Sequence, residues 1–157
     1  MKHTCIAVAL MVFFIGGTSF CSKEVKPIAE ETETQNNNGD MRNKLKITVG
    51  AKTFSATLLD NATATALKKL LPMTVEMTEL NSNEKYFRLP SNLPANASNP
   101  GTIQVGDLML YGSNTLVLFY ESFSTSYTYT KIGRIDDASG LTAALGAGNV
   151  KVTLELE

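Results

Sequence analysis

Aromatic rings alternate with hydroxyl side chains in the segment from residue 111 to residue 129. Aromatic faces beside hydroxyl groups suit the binding of a peptide or of a small amphipathic ligand. Arg134 follows this segment and could bind a carboxylate of such a ligand. The alternative is structural, because aromatic residues and threonine are favoured in strands and can simply fill the core or cover the sheet. The candidate ligand-binding residues are Tyr111, Tyr120, Phe123, Tyr127, Tyr129 and Arg134.

Histidine, cysteine and tryptophan are missing from most of the chain. His3, Cys5 and Cys21 are its only histidine and cysteines, and it contains no tryptophan. From residue 22 onward the chain therefore offers no side chains for Ser/His/Asp or Cys/His catalysis, for zinc sites built on histidine or cysteine, or for iron–sulfur and histidine-ligated haem groups. We expect no hydrolase, metalloenzyme or redox enzyme, no metal site and no cofactor.

Two carboxylates, Glu76 and Glu79, lie close together in the sequence and invite an acid/base interpretation. Their separation is odd, and an odd separation places two residues on opposite faces of a regular strand. We therefore expect both carboxylates to lie on solvated faces.

The charges of the chain are balanced. Its 157 residues include 14 Lys and Arg and 15 Asp and Glu, which gives a formal net charge of -1. This length fits one domain plus a short extra segment. The charge balance predicts no nucleic-acid partner, and a monomer is the expected state.

The first 20 residues have the pattern of a secretory signal peptide. An apolar run from Ile6 to Ile15 follows a short positive start, and it is too short to span a bilayer as a stable helix. Cys21 follows Thr18-Ser19-Phe20 and precedes Ser22-Lys23-Glu24, an arrangement that resembles the lipobox of bacterial lipoproteins. Lipidation of Cys21 would anchor the chain to a membrane.

Residues 21–44 are predicted to be the lipidated cysteine and a flexible tether, because they contain many charged residues and asparagines and few apolar ones. The predicted location is therefore the bacterial cell envelope. After secretion across the inner membrane, the protein would be held at the outer membrane or the periplasmic face by its lipid. A plain secreted protein, cleaved nearby, is the alternative.

Residues 45–157 are predicted to form one mainly β domain. Apolar–polar alternation and short apolar runs predict strands over Leu45–Val49, Thr53–Leu59, Met73–Leu80, Glu84–Leu89, Leu108–Tyr111, Thr115–Tyr120, Tyr129–Ile135 and Asn149–Glu157. In the third of these, Met73, Val75, Met77 and Leu80 are expected to face the core. The segment Thr115–Tyr120 is apolar throughout, so both of its faces should be buried.

Two short helices complete the predicted fold. One runs from Ala62 to Leu71, where Pro72 ends it, and the other is capped by Asp136-Asp137 and runs through Leu145. The residues Pro90–Gly101 are predicted to form a long functional or rim loop. About eight strands and two helices predict a small closed β-barrel with two short capping helices.

Four segments resemble the bacterial cyclophilin-like domains, and together they cover nearly the whole domain. They are Leu45–Pro72, Asn83–Pro94, Asn99–Tyr120 and Tyr129–Glu155. The resemblance implies an eight-stranded barrel with helices over its ends, and it implies little about activity. The expected function is a binding module for a small molecule or an extended peptide, and a purely structural interaction protein is a further possibility.

The resemblance also raises prolyl isomerisation as an alternative function. True cyclophilins lower the barrier to rotation of an X-Pro bond by donating a hydrogen bond to the prolyl nitrogen, usually from an arginine, while an apolar pocket holds the ring. Tyr86-Phe87-Arg88 resembles the Phe-His-Arg of those enzymes, and Ile103–Asp107 resembles their Ile-Gln-Gly-Gly-Asp. The catalytic candidates that this resemblance implies are Arg88 and Gln104.

Overall fold

The computed structural model describes residues 43–157, and the predicted signal peptide and Cys21 lie outside that range. Its strands are β1 (Lys44–Val49), β2 (Lys52–Leu58), β3 (Met73–Leu80), β4 (Glu84–Arg88), β5 (Thr102–Ile103), β6 (Asp107–Tyr111), β7 (Thr115–Phe119), β8 (Phe123–Ser124), β9 (Thr130–Ile135) and β10 (Val150–Leu156). Its helices are α1 (Ala62–Lys68) and α2 (Leu141–Leu145). Neither helix of this range is long and apolar enough to span a membrane.

Eight of the strands close into an antiparallel barrel. Their order around it is β1-β10-β3-β4-β7-β6-β9-β2, and β2 pairs with β1 to complete the circle. The short strands β5 and β8 pair with each other outside the barrel sheet. Closure leaves none of the eight strands with an unpaired edge. The predicted fold class, a mainly β closed barrel with two short helices, is confirmed.

Strand β7 is buried on both faces, as its apolar sequence predicts. Leu116 and Leu118 belong to the core inside the barrel. Val117 and Phe119 point outward, where they pack in a second buried cluster with Ile103, Met109 and Tyr129. A second apolar layer therefore lies outside the barrel, between β7 and the segments that carry β5 and β8.

The two helices lie over opposite ends of the barrel. Helix α1 joins the end of β2 to the start of β3, whereas α2 joins the end of β9 to the start of β10. Because β2 and β9 are antiparallel neighbours, their last residues lie at opposite ends. Ala64 and Leu67 of α1 and Leu141 of α2 are buried in the barrel core.

Both helices are shorter than the sequence predicts. Helix α1 begins as predicted after Asn61, whose side chain accepts a hydrogen bond from the Ala64 amide at 2.8 Å. It ends at Lys68, before the proline that disfavours helical geometry in the preceding residue. The predicted start of α2 is wrong. The Asp137 side chain accepts a hydrogen bond from the Ser139 amide in a local turn, and the helix begins after Gly140, whose φ is +81°.

Strand β3 differs from prediction at its end. Val75 and Met77 are buried as expected, but Leu80 is 41% exposed. The alternation of the strand continues through Glu79, which takes the inward position that the prediction gave to Leu80. The expected solvated position of Glu79 is therefore also wrong.

Glu79 meets a fully buried lysine at the end of the barrel beside α2. Lys85 is 0% exposed and forms an ion pair with Glu79. Its ammonium group also donates hydrogen bonds to the carbonyl oxygens of Gly146 and Gly148, both at 2.7 Å. The lysine nitrogen lies 5.1 Å from the centre of the Tyr120 ring. The Tyr120 hydroxyl donates to Glu79 at 2.8 Å.

The pKa values of the two acidic partners reflect this arrangement. Burial by itself raises the pKa of Glu79, but hydrogen bonds from Lys85, Tyr120 and the Ser82 amide hold it below its ordinary value. Burial and the adjacent Glu79 raise the pKa of Tyr120 to about 12. Both shifts favour a charged Glu79 that accepts hydrogen bonds from a neutral tyrosine.

Replacing the buried lysine should destabilise the fold strongly. We expect Lys85→Met to lower the free energy of unfolding by about 3 kcal/mol, because Glu79 and two carbonyl groups then lose their donor. Urea denaturation at pH 7 measures this change. The matched control is Lys46→Met, which breaks the exposed pair with Glu155 and should cost less than about 1 kcal/mol. Equal effects of the two substitutions would contradict this description of Lys85.

Candidate functional site

A cavity of about 620 Å³ lies on the outer face of the barrel, beside β4 and β7. Strand β4 directs Lys85 and Phe87 towards the core, so Glu84, Tyr86 and Arg88 point the other way and line the cavity. Thr115 and Val117 line it from β7 by the same alternation. Its remaining lining residues are Leu80, Asn81, Asn83, Tyr111, Gly112, Ser113, Asn114, Phe123, Tyr127 and Tyr129.

The structure brings most of the candidate residues to this cavity. Arg88 and four of the aromatic candidates line it together. The four aromatic residues are Tyr111, Phe123, Tyr127 and Tyr129. Residues proposed from two separate arguments, the aromatic segment and the Tyr86-Phe87-Arg88 resemblance, therefore share one site.

Three candidates lie elsewhere. Tyr120 is buried at the barrel end, where its hydroxyl bonds to Glu79. Arg134 is exposed and pairs with Asp107 at 3.7 Å. Gln104 lies in the turn before β6, where its backbone amide donates to the Asp107 side chain at 2.9 Å. None of the three lines the cavity.

Three tyrosines form the aromatic wall of the cavity. The ring centres of Tyr111 and Tyr129 are 5.5 Å apart at an angle of 51°, and those of Tyr111 and Tyr127 are 6.2 Å apart at 87°. Tyr129 is buried, whereas Tyr111 and Tyr127 are 47% and 62% exposed. Tyr129 also packs edge-on against Phe119 of the outer apolar cluster, at 5.4 Å. The wall therefore has one ring fixed by the core and two that a ligand could cover.

Glu84 is the site residue that the sequence did not reveal. It is only 9% exposed, and its side chain forms no hydrogen bond or ion pair with any other residue of 43–157. Burial, with a smaller contribution from the charge of Glu79, raises the pKa of Glu84 to about 7. Burial and the negative charge of Glu84 in turn contribute to raising the pKa of Tyr129 to about 12. A carboxyl group that titrates near neutral pH thus lies in an aromatic cavity.

A tight turn positions the acidic end of the cavity. Asn81 and Ser82 both have positive φ values, 56° and 57°, which joins β3 to β4 sharply. The Asn83 amide donates to the Leu80 carbonyl at 3.3 Å across the turn. The Oδ1 atom of Asn83 is buried and has no hydrogen-bond partner among residues 43–157. The neighbouring residues Asn83 and Glu84 both line the cavity.

Comparison with known proteins assigns the chain to a family. The model of the Cyclophilin-like family matches residues 47–155. The chain belongs to the cyclophilin-like family. A search of curated proteins found no significant match.

A solved structure supports the fold of this cyclophilin-like domain. The solution structure of a hypothetical protein from Archaeoglobus fulgidus superimposes with a TM-score of 0.54 at 18% sequence identity. The match covers 75% of the present chain and 97% of the archaeal chain. At this identity the likeness concerns the fold alone.

The raised pKa of Glu84 predicts a pH-dependent stability. The folded protein holds the Glu84 proton more tightly than the unfolded chain does, so this contribution is fully present below about pH 4.5 and is lost as the pH rises through about 7. We expect Glu84→Gln to be more stable than the unmodified protein at pH 8, by up to about 3 kcal/mol. The two proteins should differ little at pH 5.

Urea denaturation of both proteins at pH 5 and pH 8 measures the difference. The control is Glu76→Gln, which removes the same charge from an exposed position on β3 and should have little effect at either pH. If Glu84→Gln raises the free energy of unfolding no more at pH 8 than at pH 5, the result would contradict the buried, unpaired state of the Glu84 side chain.

Proposed function

We propose that this cyclophilin-like domain binds a small ligand or an extended peptide in the cavity beside β4 and β7. The observation that carries the proposal is the convergence of Arg88 with four aromatic side chains on one cavity. Cavities of several hundred Å³ that combine apolar and aromatic walls with a few polar groups are typical small-molecule sites. The exposed rings of Tyr111 and Tyr127 supply apolar surface that a bound ligand would cover.

The polar ends of the cavity suit an elongated ligand. Glu84 and Arg88 lie four residues apart on the same face of β4, which corresponds to about 13 Å along an extended strand. Arg88 is exposed, and its guanidinium group has several hydrogen-bond donors for a carbonyl or carboxylate oxygen. An extended peptide of three or four residues has a comparable length.

A capped tetrapeptide tests the binding function. The probe is acetyl-Ala-Phe-Pro-Ala-amide, added to the purified protein while the amide shifts are followed by NMR. We expect the shifts to concentrate on β4, β7 and residues 111–115, and Tyr127→Ala to weaken binding about tenfold through loss of its ring contact.

The matched control is Arg134→Ala, which removes an exposed side chain outside the cavity and should leave the affinity unchanged. Shifts that concentrate elsewhere, or binding that Tyr127→Ala does not weaken, would contradict the proposed site.

Prolyl isomerisation is the second candidate function, and the position of Arg88 favours it. An arginine that donates to the prolyl nitrogen must lie beside an apolar pocket for the ring, and Arg88 shares its cavity with Tyr86 and Val117. Exchange spectroscopy on the same peptide measures the cis–trans rate. Acceleration that is lost in Arg88→Ala but kept in Arg134→Ala would support an isomerase, whereas an unchanged rate would contradict this activity for that peptide.

A location in the cell envelope is also proposed, with Cys21 as the lipid anchor. Its support is the sequence of residues 1–24, which contains an export signal followed by a lipobox-like cysteine. Mass spectrometry of the mature amino terminus tests this proposal. A diacylated Cys21 as the first residue supports it, and an unmodified amino terminus at another position contradicts it.

A further inference from the structure

The acidic end of the cavity contains acceptor groups that the folded chain does not use. Glu84 is nine-tenths buried, and its side chain forms no hydrogen bond or ion pair among residues 43–157. Glutamate side chains at this degree of burial are usually paired. A ligand that carries hydrogen-bond donors would supply the partner that residues 43–157 do not.

The lysine that follows Glu84 in the sequence does not pair with it. Lys85 points into the barrel, where Glu79 and the carbonyls of Gly146 and Gly148 bind its ammonium group. Arg88, the cation on the same face of β4, lies about 13 Å away along the strand. Neither Lys85 nor Arg88 therefore pairs with Glu84.

The walls beside Glu84 favour a cation with an apolar stem. Tyr86 lies two residues further along the same face of β4 and also lines the cavity. The faces of aromatic rings attract cations, and the rings pack against aliphatic or aromatic carbon. An ammonium group has three donors and no acceptor, which matches a carboxylate that has no partner among residues 43–157.

We infer that the acidic end of the cavity binds the ammonium group of an amine ligand, such as the free amino terminus of a short peptide. The Glu84 carboxylate accepts hydrogen bonds from the ammonium group, and the tyrosine rings pack against the stem that carries it. This assignment rests on the proposed ligand-binding function and adds the chemical class of the ligand.

A pair of fragments that differ only in the ammonium group tests the inference. The probes are phenethylamine and N-acetylphenethylamine, titrated separately into the purified protein at pH 8 and followed by NMR. We expect phenethylamine to bind at the cavity about tenfold more tightly than its neutral analogue, because only the amine can make a charge-assisted hydrogen bond to Glu84. Glu84→Gln should abolish most of that preference.

The control variant is Glu76→Gln, which removes an exposed carboxylate outside the cavity and should keep the tenfold preference. Equal binding of the two fragments to the unmodified protein overturns the inference and requires no variant. A preference that survives in Glu84→Gln also overturns it. The capped tetrapeptide has no ammonium group. If it binds at the cavity while the two fragments bind equally, the proposed ligand-binding function stands and the assignment of an amine ligand fails.

Discussion

The buried ammonium group of Lys85 constrains the geometry on which the site depends. Its acceptors come from β3 and from the segment between α2 and β10, and the Tyr120 ring lies beside it after β7. A slip of β4 by one residue would turn Lys85 outward and leave these acceptors buried without a donor. A buried pair of this kind is weak evidence for high stability, but it strongly disfavours other registers. The register of β4 is therefore the one in which the ammonium group of Lys85 reaches its acceptors.

The register of β4 determines which of its side chains lie on the outer face of the barrel. With Lys85 and Phe87 directed inward, Glu84, Tyr86 and Arg88 must point outward. On a barrel strand with a solvated outer face, these three side chains would be an ordinary polar surface. Here the neighbouring strand β7 carries a second apolar layer, built on Val117 and Phe119, that holds Tyr129 and Phe123 over the outer face. The cavity and the burial of Glu84 both result from this layer.

Much of this fold is predictable from local patterns. The apolar run of β7 predicts two buried faces, and the pattern of apolar and polar residues predicts the eight barrel strands to within a few residues at their ends. The predictions are wrong where a single residue departs from the alternating pattern or forms a local turn. The apolar character of Leu80 predicts a core position, although the inward position belongs to Glu79, and α2 starts later than predicted because Asp137 forms its own turn. Glu84 was missed for a different reason. An acidic residue at the start of a short strand indicates solvent unless the segment that covers it is known, and that segment lies about forty residues further along the chain.

The pKa of the Glu84 carboxyl group tests the structure of the cavity most directly. It depends at once on the register of β4, on the outer apolar layer and on the lack of a partner for this carboxyl group among residues 43–157. Carbon-detected NMR of the side-chain carboxyl groups, followed from pH 3 to pH 9, reads its titration without a ligand. The account predicts that the pKa of Glu84 lies at about 7. Titration of Glu84 near 4.5, the ordinary value for glutamate, would show a solvated or paired carboxylate and would contradict the cavity described here.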